Sequence, residues 1–320
     1  MGSKDVVRPP MLKAGSRVAL IAPASPLLNR DDLTRGEELC RALGYEPVLS
    51  PNASRAHGYL AGTDEERLAD LNTALRDRSL DAVWCLRGGY GMTRILSQVD
   101  FKALARAPKA IIGYSDITAL LLAVQREIGL VTFHGPVAYS SLSPFSRWHF
   151  DRVLTIPAAA GRLGRVAPPS DMLVPRDPRI VTLKSGVAEG RLLGGNLSLL
   201  QCLIGTRHAP DFDGAILFIE DVGEATYRVD RMLCHLRTAG MLDKLAGVVV
   251  GQFTEMEEGG EDGALGFDEV LATYFLPLGI PVAFGFPFGH VSEKWTLPVG
   301  VRARLDATAG EVEILEAAVV

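Results

Sequence analysis

The sequence predicts an α/β protein whose N-terminal half is built on a parallel sheet. Two observations point there. Between positions 17 and 124, short apolar runs rich in β-branched residues alternate with longer amphipathic stretches of helical period. Such alternation is the mark of parallel strands covered by helices on both faces. The pattern decays between about 143 and 185 and then resumes, dividing the 320 residues into two domain-sized parts.

Each element has its own signal. Residues 17–22 read as a buried strand. Residues 31–43 read as a helix with Leu33, Leu39, Cys40 and Leu43 on one face and Gly44 as its stop. A strand follows at 45–49. Thr63 caps the next helix, and Glu66 three residues later completes a capping box. Leu68, Leu71 and Leu75 form that helix's apolar stripe. Strands at 81–86 and 109–113 come next, and IIGYSDITAL (111–120) leads from the second of them into a helix over 118–124. Pro144, Pro157, Pro168, Pro169, Pro175 and Pro178 then punctuate a stretch that predicts a linker without a helix. The second half begins with GRLLGGNLSLL and continues with the strand AILFIE, a helix over 227–238, the strand GVVVGQF and a helix over 268–274. TLPVGVRARLDA and EVEIL close it, alternating like antiparallel strands.

Composition narrows the function. Apolar residues make up 48% and charged residues 22%, a globular balance. A net charge of −5 argues against nucleic acid or anionic lipid as the main partner. Cys40, Cys85, Cys202 and Cys234 lie in apolar surroundings without a C-x-x-C pair, so they read as reduced core residues of a reducing compartment. No apolar run reaches the ~18 residues of a membrane span. Lys13 and Arg17 before VALIAPAS mimic a signal peptide, but the apolar part is short and broken by proline, so a first strand is expected there. Val6 in MGSKDV excludes a myristoylation signal.

Sites on open parallel sheets gather beyond the carboxyl ends of the strands. The segments just past those ends are Pro23-Ala24-Ser25, RGGYG (87–91), GYSD (113–116), HGP (134–136), EDVGE (220–224) and GH (289–290). Ser115 stands out: a serine at a strand-to-helix corner has its hydroxyl pushed toward the strand ends and faces the positive end of the next helix. The match to G-x-S-x-G is partial, since Ile117 holds the last position. A plain N-cap serine fits the same pattern. A serine nucleophile needs a base, and the base needs a carboxylate to orient it. Of six histidines, His57 lies in a polar loop, His149 and His208 read as surface residues near prolines, and His235 sits within a helix. His134 and His290 both follow apolar strand-like runs, and local sequence does not choose between them. Glu220 ends the most apolar strand of the second half, at the sheet rim. There a salt bridge to Arg228 or Arg231 is the plainer reading. The RGGYG turn offers backbone amides for an oxyanion, but lacks the spacing of a nucleotide site.

Taken together, ALIAPASP, LRGGYG, IIGYSDITAL, FHGP, EGRLLGGNLSLL, FIEDVGEATYRVDRML and FGFPFGH resemble the LD-carboxypeptidases, a serine peptidase family that includes the microcin-immunity peptidases. The resemblance runs from about Gly15 to about Leu315 and is weakest at 143–185. It implies an N-terminal α/β domain (1–143), a linker or loop (144–185) and a smaller, β-rich C-terminal domain (186–320). It also implies a triad of Ser115, Glu220 and His290, resolving the choice of histidine, and an oxyanion hole from the backbone amides of Gly89 and Asp116. The implied reaction is hydrolysis of the L,D-bond before a terminal D-alanine in murein tetrapeptides. The implied setting is peptidoglycan recycling in the bacterial cytoplasm, by a homodimer with no metal, organic cofactor, nucleic acid or membrane partner. Arg87 is the candidate for the substrate carboxylate, with bracing of its loop as the alternative.

Three rivals follow. An immunity-type peptidase would cut an aminoacyl-nucleotide and stack an aromatic on the base. Trp148 fits that role, or it packs on a turn. A two-domain small-ligand binding protein would share the layout without catalysis. A glutamine-amidotransferase-like hydrolase would carry Cys at the elbow, which Ser115 disfavours.

Overall fold

Fourteen strands among the described residues fall into two sheets, and the strand order explains how distant segments meet. The computed structural model describes residues 6–29, 31–166, 179–256 and 265–320.

The first sheet is assembled by alternating βα units. Its strands are β1 (Arg17–Ile21), β2 (Glu46–Leu49), β3 (Ala82–Cys85), β4 (Ala110–Gly113) and β5 (Thr132–His134). They pair in parallel in the order β5-β4-β3-β1-β2. The helices between them are α1 (Asp31–Ala42), α2 (Asp64–Arg76), α3 (Met92–Ile95), α4 (Phe101–Arg106) and α5 (Thr118–Ile128). β3 and β4 are buried throughout, as continuous apolar strands between two helical layers must be. The expected capping box of α2 is present. The Glu66 amide donates to Thr63 Oγ1 at 3.2 Å, and the Thr63 amide to Glu66 Oε2 at 2.9 Å.

The stretch expected to be a helix-free linker holds α6 (Pro144–Leu154). The proline that read as a breaker sits at the first helical turn, where its missing N–H costs nothing. Ser143 caps the helix by accepting from the Ser146 amide at 3.1 Å. His149, Phe150, Val153 and Leu154 are its buried face, and the Phe150 ring lies 5.0 Å from that of Trp84 on β3. This helix therefore packs on the first sheet. Trp148 lies on it rather than on a turn, half exposed, with Arg152 over its ring at 4.2 Å. Pro168, Pro169, Pro175 and Pro178 lie outside the described residues.

The second sheet is mixed, with the closing strands antiparallel as expected. β6 (Ala159–Arg162) and β7 (Val181–Lys184) are its two edges. Between them run β8 (Val187–Asn196), β9 (Ala215–Val222), β10 (Gly247–Thr254), β11 (Val282–Phe284), β13 (Arg302–Asp306) and β14 (Glu311–Ala317). β8, β9, β10 and β11 run parallel; β13, β14, β6 and β7 are antiparallel to their neighbours. α7 (Leu197–Leu203), α8 (Thr226–Thr238) and α9 (Phe267–Phe275) accompany it. β12 (Leu297–Val299) departs from the expected division at 186. It leaves the second half and pairs antiparallel with β5, Leu297 opposite His134. That pairing brings the chain just after His290 across to the first sheet.

Two further expectations change. His149 and His208 are buried, not surface residues. His149 is enclosed by Phe145, Trp148 and Trp295, and His208 sits beside Glu127 and Phe101. Cys40 and Cys85 are core residues, but Cys202 is exposed and Cys234 only part-buried. Both lie on amphipathic helices, where the residue's position on the face decides its burial. Among the described residues no helix is long and apolar enough to cross a membrane.

Candidate active site

The corner after β4 is strained in a specific way. Tyr114 is extended, and then Ser115 takes φ +62°, one of two non-glycine residues with positive φ among the described residues. Such a conformation costs of order 1 kcal/mol or more for a residue with a Cβ, and it turns the side chain out of the strand's path. A one-turn 3₁₀ segment, Ser115–Ile117, feeds α5, so the serine stands before the N-terminal end of that helix.

The glycine turn lies directly against this serine. A Cβ on Gly88 would come within 2.8 Å of Ser115 Cβ and 3.1 Å of its Oγ, so only glycine fits there. Gly89 follows at φ +104°. Two hydrogen bonds fix the turn from outside. Ser25 Oγ accepts from the Tyr90 amide at 3.0 Å, and Asp116 Oδ2 accepts from the Met92 amide at 2.7 Å. Burial pushes the Asp116 carboxyl up to about 6, with the Met92 bond opposing. Its side chain thus ties the elbow to the turn and to α3. Arg87 Nη1 donates to the Pro26 carbonyl, bracing the same turn against the loop after β1.

Glu220 sits inside β9, fully buried, and its Oε2 lies 2.7 Å from His290 Nδ1. Burial raises its carboxyl above the ordinary range, while the His290 hydrogen bond and charge pull it back. Gly289, at φ +104°, permits the contact: a Cβ there would meet Glu220 Oε2 at 2.7 Å. The salt bridge to Arg228 or Arg231 considered for Glu220 is replaced by this pair. The next residue, Asp221, has a separate task. It accepts from Asn196 Nδ2 at 2.8 Å, from the Ser198 amide at 2.9 Å and from Ser198 Oγ at 2.8 Å, fastening the start of α7.

The two sheets meet at the elbow. The Asn196 amide donates to Thr118 Oγ1 at 3.1 Å, joining the end of β8 to the first residue of α5. The ring of Tyr114, next to Ser115 in the chain, lies 4.8 Å from that of His290. Residues 115, 220 and 290, far apart in sequence, thus come from three neighbouring elements. His134 is also near: its Nε2 is 4.0 Å from Glu220 Oε1. It is 1% exposed, neither ring nitrogen has a hydrogen-bond partner, and burial pushes it down to about 3, so it is neutral.

Sequence reasoning missed the part of α6. Ser143 Oγ donates to Glu293 Oε2 at 2.8 Å, Ser146 Oγ donates to the Ser292 carbonyl at 3.2 Å and accepts from the Lys294 amide at 2.9 Å. The N-terminus of α6 thereby holds the loop that follows His290. The S-P-F-S start of this helix was its available signal. Lys294 itself carries no sequence signal. It is buried beside the site, with Nζ 4.3 Å over the Tyr114 ring.

An alcohol on a strained elbow, flanked by a glycine turn, with a carboxylate–imidazole pair beside the ring of the preceding residue, has the parts for acyl transfer. Known proteins agree in kind. Residues 18–135 match the LD-carboxypeptidase N-terminal domain, and 189–305 match the LD-carboxypeptidase C-terminal domain. A murein tetrapeptide carboxypeptidase of Pseudomonas aeruginosa is 36% identical, over 91% of this chain and 93% of its own. The crystal structure of a muramoyltetrapeptide carboxypeptidase from Oxalobacter formigenes superposes with a TM-score of 0.79 at 35% identity, covering 93% of this chain and 98% of that one. The microcin C7 self-immunity protein MccF superposes with a TM-score of 0.88 at 26% identity, covering 98% of this chain and all of that one.

Proposed function

Because the chain belongs to the LD-carboxypeptidase family, we propose that it is a serine carboxypeptidase that releases terminal D-alanine from murein tetrapeptides. The observation that carries this reading is the pair of buried Glu220 and part-buried His290, 2.7 Å apart, beside the elbow of Ser115. His290 takes the hydroxyl proton as Ser115 Oγ bonds to the scissile carbonyl carbon. Glu220 holds Nδ1–H, which leaves Nε2 as the acceptor, and balances the imidazolium. The amides of Gly89 and Asp116 receive the oxyanion, each worth about 3 kcal/mol of barrier. The C–N bond then breaks, and D-alanine leaves with the proton from His290. Water, deprotonated by the same imidazole, clears the ester and restores Ser115. None of these steps calls on a metal or organic cofactor. The reading includes a cytoplasmic homodimer acting on peptides from wall turnover; light scattering at micromolar concentration, giving twice the chain mass, tests the dimer.

Ser115→Ala removes the nucleophile and leaves the fold. D-alanine release should fall by about 10⁴-fold or more, with an unchanged circular dichroism spectrum. Near-wild-type turnover by the pure variant would sink the mechanism. The immunity-type reading has one observation in its favour, the higher TM-score to MccF. The greater identity to the carboxypeptidases weighs against it. Trp148, the aromatic that reading would use, already carries Arg152 on its ring. Comparing hydrolysis of a D-alanyl tetrapeptide with that of an aminoacyl sulfamoyl adenylate decides between them.

A further inference from the structure

A carboxypeptidase that releases a single residue needs a receptor for the free carboxylate close to its nucleophile. Successive backbone units are only about 3.8 Å apart. The carboxylate of a one-residue leaving group therefore lies within a few ångströms of the attacked carbon, and its receptor must border the elbow itself. Two cations do so among the residues already described, Arg87 and Lys294.

Arg87 is half-buried, and its guanidinium is engaged with the Pro26 carbonyl. Lys294 is different in every respect. It is 8% exposed, its backbone is pinned by Ser146, and its Nζ lies against Tyr114, the residue before the nucleophile. Among the described residues this ammonium makes no hydrogen bond and no ion pair; the Tyr114 ring is the contact it has. Burying an ammonium without an acceptor is costly, and one aromatic face returns only part of that cost. Burial pushes the lysine down to about 8, with the Glu220 charge opposing. The other charged or titratable groups that bear on it, Glu220, His134 and His290, form the triad's own surroundings; Glu220 is already bonded to His290, and Glu293, next to it in the chain, accepts from Ser143.

We infer that Lys294 is the residue that receives the C-terminal carboxylate of the substrate peptide, and so restricts the enzyme to removing one terminal residue. The inference rests on the carboxypeptidase reading. Docking of the substrate supplies the acceptor that the fold withholds, and the charge-assisted bond forms in a site largely shielded from water.

The test uses the intact protein and two peptides differing only at the end, one with free D-alanine and one with D-alaninamide. Wild type should favour the free acid by roughly 30- to 100-fold in kcat/KM, the range of a hydrogen bond to a charged group. Lys294→Met keeps the apolar stem and removes the charge. It should lose that factor on the acid, mainly through KM, and stay within about threefold of wild type on the amide, erasing the preference. Lys294→Arg should restore part of the preference for the acid, which guards against a variant that merely folds poorly. A wild type that cleaves both peptides equally would overturn the inference and leave the carboxypeptidase reading standing. So would Lys294→Met losing equally on both with a shifted pH profile, the mark of a residue acting through Glu220. Collapse of the preference in Arg87→Gln but not in Lys294→Met would assign the carboxylate to Arg87 instead. A wild type inactive on either peptide would sink the reading and the inference together.

Discussion

Two histidines approach one buried carboxylate, one at each oxygen, and they differ in almost everything else. His290 comes from the loop after β11, is partly exposed, and lies 2.7 Å from Glu220. His134 ends β5, is sealed between Tyr114 and Phe218, and stops 4.0 Å short of the same residue. Burial at His134 forbids the charged form that a general base must pass through. At His290 a carboxylate stands at hydrogen-bond distance and the ring is partly exposed. Nearness to an acid does not by itself make a base.

Exchanging the roles of the two rings is the way to break this comparison. His290→Ala should lower kcat/KM by about 10⁴-fold or more, because serine and histidine act as a unit. Glu220→Gln should follow with about 10³- to 10⁴-fold, since the amide favours the wrong tautomer. His134→Ala should cost less than about tenfold in rate. Its cost should appear instead in stability, of order 2 kcal/mol by urea unfolding, from the lost packing of the ring. An activity ranking with His134 above His290 would overturn the choice of base.

The smallest effect sharpens the contrast through pH. A histidine held neutral near 3 when folded titrates at 6.5 when unfolded, so the unfolded chain binds the extra proton between those values. Stability is unaffected above about 6.5 and falls as pH drops toward 3, by up to about 1.4 kcal/mol per unit per such residue. His149, also pushed down to about 3 by burial, adds to the same slope. His134→Gln should flatten the acid limb of urea stability curves by close to one proton. An unchanged slope would mean that His134 accepts a proton in the folded state.

Much of this was readable from the sequence, and the failures share a cause. The parallel strands, the α2 capping box and the elbow were legible because each is a local pattern of period, cap or corner. The pairing of Glu220 with His290 was not, since 70 residues separate them; only seven ordered motifs taken together pointed to it. The helix Pro144–Leu154 was missed because proline weighs as a breaker unless its place at the first turn is known. His149 and His208 were misplaced because burial there comes from partners remote in the chain, Trp295 and Glu127 among them. Lys294, four residues after the catalytic candidate, had no pattern at all: its meaning comes from Tyr114, 180 residues earlier at the end of β4.

The central claim is that Ser115 is made nucleophilic by His290 and not by its buried neighbour. Covalent labelling with a fluorophosphonate, read by peptide mass spectrometry, measures that directly. The account predicts one adduct, on Ser115, in wild type and in His134→Ala, and a loss of labelling in His290→Ala. Undiminished labelling of Ser115 in His290→Ala, or an adduct on another serine, would contradict it.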